Sequence, residues 1–533
     1  MNLVQQKFTG ILLVLLSFSC AQVVAPTGGE KDSSPPEIIE AQPPIGQSNF
    51  TEKSFSIEFD EFIKLRNLNK QLLVSPPLKH ELKSRIKGKS LVVDIEDTLK
   101  ANTTYVINFG SAIVDITEQN PVEDFKYIFS TGEAVDSLSI SGNILDAFDL
   151  EPQEGFNVQL YRGNAFDSLP IQSLPDYVGK TDKDGNFSIT NIGKGTYVIF
   201  ALQDGNDNYL FDRPDEAIAF ASEVLSIGST KTDIELFAFA EDNQKQFVEK
   251  VSTNGPLLIV QFKKAWQNPV GFQPLSKNGP ELKHFEYGLQ KDSLLIWWSQ
   301  NTDQEFALIV SIGEDFKDTL SFELDSLPKG QKLKVDDKFN ETYPYFRSVP
   351  IAFNFPLDLT AVDEDKMTLT RLDGKAISFS TQIGPPNTQT LRLDFKRKED
   401  STYKLTILPG AVTDVYGRTT DTISTEIAFD KAADYGRLIV KLDTTVASNR
   451  ILQLTDANGK VLREDFTSSL TTTFEHLRPG QYGLKIVFDE NQNFTWDSGR
   501  FLERQQAEKC IILKQKIDIR ANWDKEIDWI IAE

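Results

Sequence analysis

Histidine, cysteine and methionine are nearly missing from this chain of 533 residues, which holds three, two and two of them. The histidines are His80, His284 and His476, and the thiols are Cys20 and Cys510. That scarcity excludes a Cys/His zinc cluster and a disulfide framework, and it leaves few general bases. Basic charge is also in short supply. Lys and Arg total 56 against 78 Asp and Glu, so the net charge is −22. A surface that acidic repels phosphate backbones, which argues against nucleic acid as a partner. Long helical periodicity is absent, and no segment approaches the roughly 18 consecutive apolar residues of a membrane-spanning helix. The nucleophile elbow G-x-S-x-G and the metalloprotease motif H-E-x-x-H do not occur. Adjacent carboxylates such as Asp60 and Glu61 fall on opposite faces of a strand, so they do not pair as acid and base. The expectation is a protein that is not an enzyme.

What is present begins at the N-terminus. A positive start at Lys7 precedes the short apolar run Ile11–Leu16 and then Ser17-Phe18-Ser19-Cys20. The run is too short to span a bilayer and ends in small residues, as a secretory signal does. With its cysteine it resembles a bacterial lipoprotein signal. The resemblance implies cleavage after residue 19 and lipidation of Cys20. Ser17 stands where the usual lipobox has leucine, a looser pattern similar to that of the Bacteroidetes. Several acyl chains on one residue would anchor the chain firmly, at about 0.8 kcal/mol per buried CH₂. Residues 20–35 are rich in Pro, Gly and polar side chains and read as a tether.

Hydrophobic residues make up 40% of the chain, enough to build cores. They recur with period 2 in runs such as Ser54–Phe59, Thr104–Phe109, Leu257–Phe262, Leu294–Trp298 and Leu438–Leu442, punctuated by Gly, Pro, Asn and Asp. The fold class expected is all-β, as tandem β-sandwich modules. Residues 64–71 and 501–508 are the places where single helical turns are predicted. Cys510 is predicted to be a strand residue acting as a small hydrophobe.

The chain also repeats itself. Residues 103–115 (TTYVINFGSAIVD) resemble residues 401–414 (STYKLTILPGAVTD). Gly195-Thr196-Tyr197 followed by Asp204, Asn206, Asn208 and Asp212 returns as Gly480-Gln481-Tyr482 followed by Asp489, Asn491, Asn493 and Asp497. The domains expected are a signal peptide (1–19), a lipidated tether (20–35), an Ig-like module (36–133) and a second β-sandwich (136–240). After them come a β-rich middle module (241–335), a second Ig-like module (336–432) and a second copy of the β-sandwich (434–533). The fold of 241–335 stays open.

Residues 36–132 contain Ile57-Glu58-Phe59-Asp60-Glu61-Phe62 and Leu99–Tyr105 and close on Phe129-Ser130-Thr131-Gly132. They resemble the SbsA-type bacterial Ig-like domain. Residues 137–200, with Thr181–Phe187 and Gly195-Thr196-Tyr197, resemble the prealbumin-like fold of carboxypeptidase-regulatory and Cna-B-like modules. Together with Cys20, the chain resembles Ig-like-domain lipoproteins of the Bacteroidetes. These families share a fold and no common catalytic activity. The resemblance implies an outer-membrane lipoprotein that serves as a scaffold or accessory subunit of another outer-membrane protein. The alternative is a surface glycan- or peptide-capture protein. Acids begin only at Glu30, so the periplasmic and extracellular faces both stay open.

Two kinds of binding residue stand out. Asp204, Asn206, Asn208 and Asp212, with Asp489, Asn491, Asn493 and Asp497, follow positions 1, 3, 5 and 9 of a calcium loop. Structural calcium is the cofactor they raise. Asp215 holds position 12 of the first copy, whereas Tyr209 and Phe494 stand where an EF-hand has glycine. The competing explanation is a turn in which Asp and Asn satisfy their own backbone. Trp297-Trp298 would place one ring inward and one outward on an alternating strand, and an outward ring would either be covered by an adjacent module or mark a partner or sugar surface. Trp523 and Trp529 raise the same question.

Overall fold

The computed structural model describes residues 32–531, apart from 165–168, 243–244, 267, 276–279, 289, 300–304, 315, 326–329, 336–341, 385–386 and 444–448. Cys20, the signal and most of the tether lie outside the described residues. The fold is almost all β, built as tandem two-sheet modules. The chain divides into two compact units, one holding residues up to Ala240 with Arg500–Gln505, the other holding the rest.

In the first unit, the strands Ile38–Gln42, Ser54–Phe59, Ser90–Asp94 and Lys83–Lys87 form one antiparallel sheet. Leu73–Ser75, Thr104–Asn108 and Lys126–Ser130 form the other. Alternation sends Phe55, Ile57 and Phe59 inward from one strand. They meet Tyr105, Ile107, Tyr127 and Phe129 in a single core, where the Phe55 and Tyr127 rings stack at 3.8 Å.

The repeated Thr-Tyr segment has a structural job in both of its copies. The Tyr105 hydroxyl accepts the Lys100 amide at 2.8 Å, and the Tyr403 hydroxyl accepts the Lys398 amide at the same distance. Each tyrosine thereby closes the turn that feeds its own strand. The aspartate that ends each repeat is buried and also closes a turn. Asp115 accepts the amides of Glu118, Gln119 and Asn120. Asp414 accepts those of Tyr416 and Arg418 and pairs with the Arg418 guanidinium. Burial raises the Asp115 carboxyl, but the amides outweigh it and hold the group below its ordinary value. An aspartate depressed in the fold stabilises it above the unfolded value of about 3.9, and that contribution disappears as pH falls through the folded value. Thermal scans should therefore show the Asp115→Asn variant less stable than the parent at pH 7. The gap should narrow as pH falls below about 4. A gap constant with pH would mean that the carboxylate is not the stabilising form.

The second module forms around Leu138–Asp146, which pairs antiparallel with Asn186–Ile192 and parallel with Lys231–Ala240. Asn157–Arg162 and Gly195–Leu202 carry the facing core positions. At its Asp182–Asn186 turn, Gly185 has φ +75° and Asp182 accepts the amides of Asp184 and Asn186, so the segment is a hairpin turn.

In the second unit, residues 241–325 form an antiparallel sandwich. Val248–Asn254, Leu257–Phe262, Ser293–Trp298 and Leu282–Tyr287 make one sheet, and Val270–Pro274, Glu305–Ile312 and Phe316–Glu323 make the other. Two antiparallel sheets around Leu391, Leu393, Tyr403 and Leu405 follow, one of them edged by the short strand Thr342–Tyr343, which runs parallel to Ile423–Phe429. The last module repeats the parallel closure of the second, with Gly436–Asp443 against Asp524–Ile530. Cys510 is buried in its strand Cys510–Ile512. Leu68–Gln71 is a single helical turn, whereas residues 501–504 form a non-helical turn closed by the bridge Arg500–Gln505.

Candidate functional site

The two Asp/Asn loops have the same construction. In the first, Asp204 accepts the amides of Asn206, Asn208 and Tyr209, the last at 2.7 Å. The side-chain amides of Asn206 and Asn208 donate to the two oxygens of Asp212, at 3.3 and 2.8 Å. In the second, Asp489 accepts the amides of Asn493 and Phe494, and Asn491 and Asn493 donate to Asp497 at 2.5 and 2.7 Å. All four predicted residues of each loop thus converge. The position an EF-hand gives to glycine is left-handed here as well, with φ +61° at Tyr209 and +66° at Phe494. The backbone keeps the sharp turn although the side chain does not favour it.

Spacing missed one member of each loop. Glu216, nearly fully buried, accepts the amides of Gly205, Asp212 and Arg213. Its neighbour Asp215 instead pairs with the Arg213 side chain at the surface. In the second copy Glu508 is the counterpart, accepting the amides of Glu490 and Asp497. Burial pushes the Glu508 carboxyl above its ordinary value, with the charges of Asp497 and Asp489 adding, against the pull of those two amides. Among the described residues no group of three or more His, Cys, Asp or Glu is gathered as a metal centre. With Glu216 and Glu508, each loop holds three carboxylates and two side-chain amides in a network that already satisfies itself.

Of the two readings of the tryptophan pair, the structure gives the covered one and corrects the binding one. Trp297 and Trp298 are each 1% exposed, so neither offers a surface. The alternation holds, but both faces of the sheet are covered. Trp298 enters the core of residues 248–324, whereas Trp297 enters the core built by Val349, Leu391 and Tyr403 of the following module. Trp529 is also buried, and Trp523 is exposed.

The histidines serve separate contacts. His80 pairs with Asp97, His284 meets Glu286 and Thr388, and His476 stacks on Phe346 at 3.8 Å and meets the Tyr345 hydroxyl. Thr388 Oγ1 lies 2.8 Å from His284 Nε2, but the hydroxyl also bonds Glu286, and Glu286 meets that same Nε2 and does not orient the ring from its far nitrogen as a triad acid does.

Residues 32–131 match the family model of the bacterial Ig-like domain. No curated protein matches the chain. Among solved structures, surface layer protein SbsC, domains 1–6, is 12% identical, with 91% of this chain and 67% of that chain covered and a TM-score of 0.15. The major pilin subunit BcpA of Bacillus cereus is 10% identical over 74% of this chain and 99% of that one, with a TM-score of 0.14. The SGBP-B protein of the Bacteroides ovatus mixed-linkage glucan utilization locus, solved with a mixed-linkage heptasaccharide, is 11% identical over 71% and 93%, with a TM-score of 0.19. At these scores the likenesses carry no argument about function.

Proposed function

We propose that the chain is a non-catalytic lipoprotein of the outer membrane, anchored through Cys20, whose β-sandwich modules act as a scaffold or accessory subunit for another outer-membrane protein. The observation that carries this reading is the use of the chemically capable side chains. The buried Asp115 and Asp414, the repeated tyrosines and the histidines all close turns or join packed surfaces, in modules of which the first matches the bacterial Ig-like domain. Such modules act through the surfaces they present. The test is a gentle pull-down of the tagged protein from solubilised native membranes beside a Cys20→Ala control. Stoichiometric recovery of an outer-membrane barrel, lost in the control, supports the reading. Recovery of the chain alone from both preparations overturns the accessory role.

We also propose calcium as a stiffener of the two Asp/Asn loops. Glu216 and Glu508 are taken up by backbone amides, which leaves two aspartates per loop as ligands; that low ligand charge places affinity in the weak range of about 10⁻⁴–10⁻³ M. At a free calcium of about ten times the dissociation constant, each site would add about 1.4 kcal/mol to stability. Differential scanning calorimetry of chelator-treated protein should show the rise when millimolar calcium is restored. Asp212→Asn with Asp497→Asn should abolish it. A transition unmoved by calcium rejects the proposal.

A further inference from the structure

Trp523 is 59% exposed, whereas Trp266, Trp297, Trp298 and Trp529 are buried. It does not stand alone on the surface. It lines a groove of about 700 Å³ beside the start of the parallel pair Gly436–Asp443 and Asp524–Ile530. The groove is shallow and open, so it offers one face to a ligand and does not enclose it.

The turn that carries the indole is held in place from both sides. The Asn522 amide donates to the Tyr435 carbonyl at 2.8 Å, and the Arg437 amide donates to the Trp523 carbonyl at 3.0 Å. Gly436 lies directly beneath. A Cβ there would come within 2.4 Å of the Arg520 carbonyl oxygen, so only glycine lets the turn approach this closely. The exposed ring is therefore presented by a fixed backbone.

The polar lining is also ordered in advance. Arg437 forks onto both carboxylate oxygens of Asp524 and lies 3.9 Å from Glu475. Arg520 places its guanidinium 5.6 Å from the Trp523 ring centre. In the lining one guanidinium, Arg437, faces two carboxylates, Asp524 and Glu475, and Arg520 stands beside the indole outside that lining. An anionic ligand is disfavoured there, and the Asp524 carboxylate is already paired. A ligand with an apolar face and many hydroxyls fits each part. Its face stacks on the indole, and its hydroxyls meet a carboxylate, guanidinium and carboxamide set that can both donate and accept.

We infer that the groove at Trp523 binds a neutral saccharide, with a pyranose ring against the indole. This goes beyond the scaffold reading and does not depend on the lipid anchor, so either can fail while the other stands.

The test is isothermal titration calorimetry of the full chain with cellohexaose, maltohexaose, xylohexaose, mannohexaose and chitohexaose at millimolar concentration, with indole fluorescence as a second readout. At least one probe should bind and shift the emission. Trp523→Ala should weaken that binding about tenfold or more, Trp523→Phe should retain part of it, and Phe62→Ala, an exposed aromatic of the first module, should leave it unchanged. Because Trp523 is exposed, its replacement should leave the melting transition in place. No binding by any of the five probes overturns the inference, and so does binding that survives Trp523→Ala.

Discussion

Replacing Trp297 by alanine is expected to destabilise the second unit by about 3–5 kcal/mol, the cost of deleting a large buried aromatic. The indole is 1% exposed and packs with residues of the following module, together with Leu257 and Leu295 of its own sheet. Leu257 is its direct cross-strand partner. Those residues form the outer face of one sandwich and part of the core of the next. The loss should therefore reduce cooperativity as well as stability. In calorimetry of the full chain, a transition shared by the two modules should separate into two. Trp298→Ala should cost as much but act on the middle sandwich, whose core it enters beside Phe322. Trp298→Phe should cost less than its volume suggests, because the buried Trp298 Nε1 has no hydrogen-bond partner among the described residues and its removal relieves that donor. A Trp297→Ala loss below about 1 kcal/mol would show that the shared face is not a packed core.

The strands were legible because period 2 is local. Ser54–Phe59 and Leu438–Leu442 display their inward residues in order, and the structure buries those same positions. Repeats were legible for a similar reason: a tyrosine that closes a turn through its hydroxyl recurs wherever that turn recurs. Facts that depend on the far side of a sheet were not. Alternation at Trp297 and Trp298 predicts opposite faces correctly, yet it cannot say that the outer face meets a second core. The members of the loops show the same divide. Asp204 to Asp212 lie within one turn of chain and follow a spacing rule. Glu508 reaches the second loop from beyond the Arg500–Gln505 bridge, so no fixed spacing could have found it. Position 12 of an EF-hand spacing falls on Asp215, whereas this loop turns the next residue, Glu216, inward. Trp523 differs from the buried tryptophans only by what packs around it, and composition carries no trace of that.

Gly142 offers the second large effect, and it separates two reasons for needing glycine. It lies in Leu138–Asp146 at a shift of register, between Phe187 on one neighbouring strand and Ile234 on the other. A Cβ built there would stand 1.8 Å from the Ile234 carbonyl oxygen and 2.7 Å from its carbon. Both atoms are backbone, so no rotamer change relieves the overlap, and the parallel pair that closes the module must separate. Gly142→Ala is therefore expected to cost about 3 kcal/mol or more, at or above the upper end of overpacking losses. Gly155 is the comparison. It has φ +80° and meets nothing nearer than the Lys180 Cε at 3.9 Å, so alanine there strains only the dihedral. That strain is about 1–2 kcal/mol for a left-handed residue. Hydrogen exchange should show Gly142→Ala releasing protection throughout Leu138–Asp146 and Lys231–Ala240, while Gly155→Ala affects its own turn. Equal losses at the two sites would mean that backbone conformation, and not the close approach of the strands, is what selects glycine at Gly142.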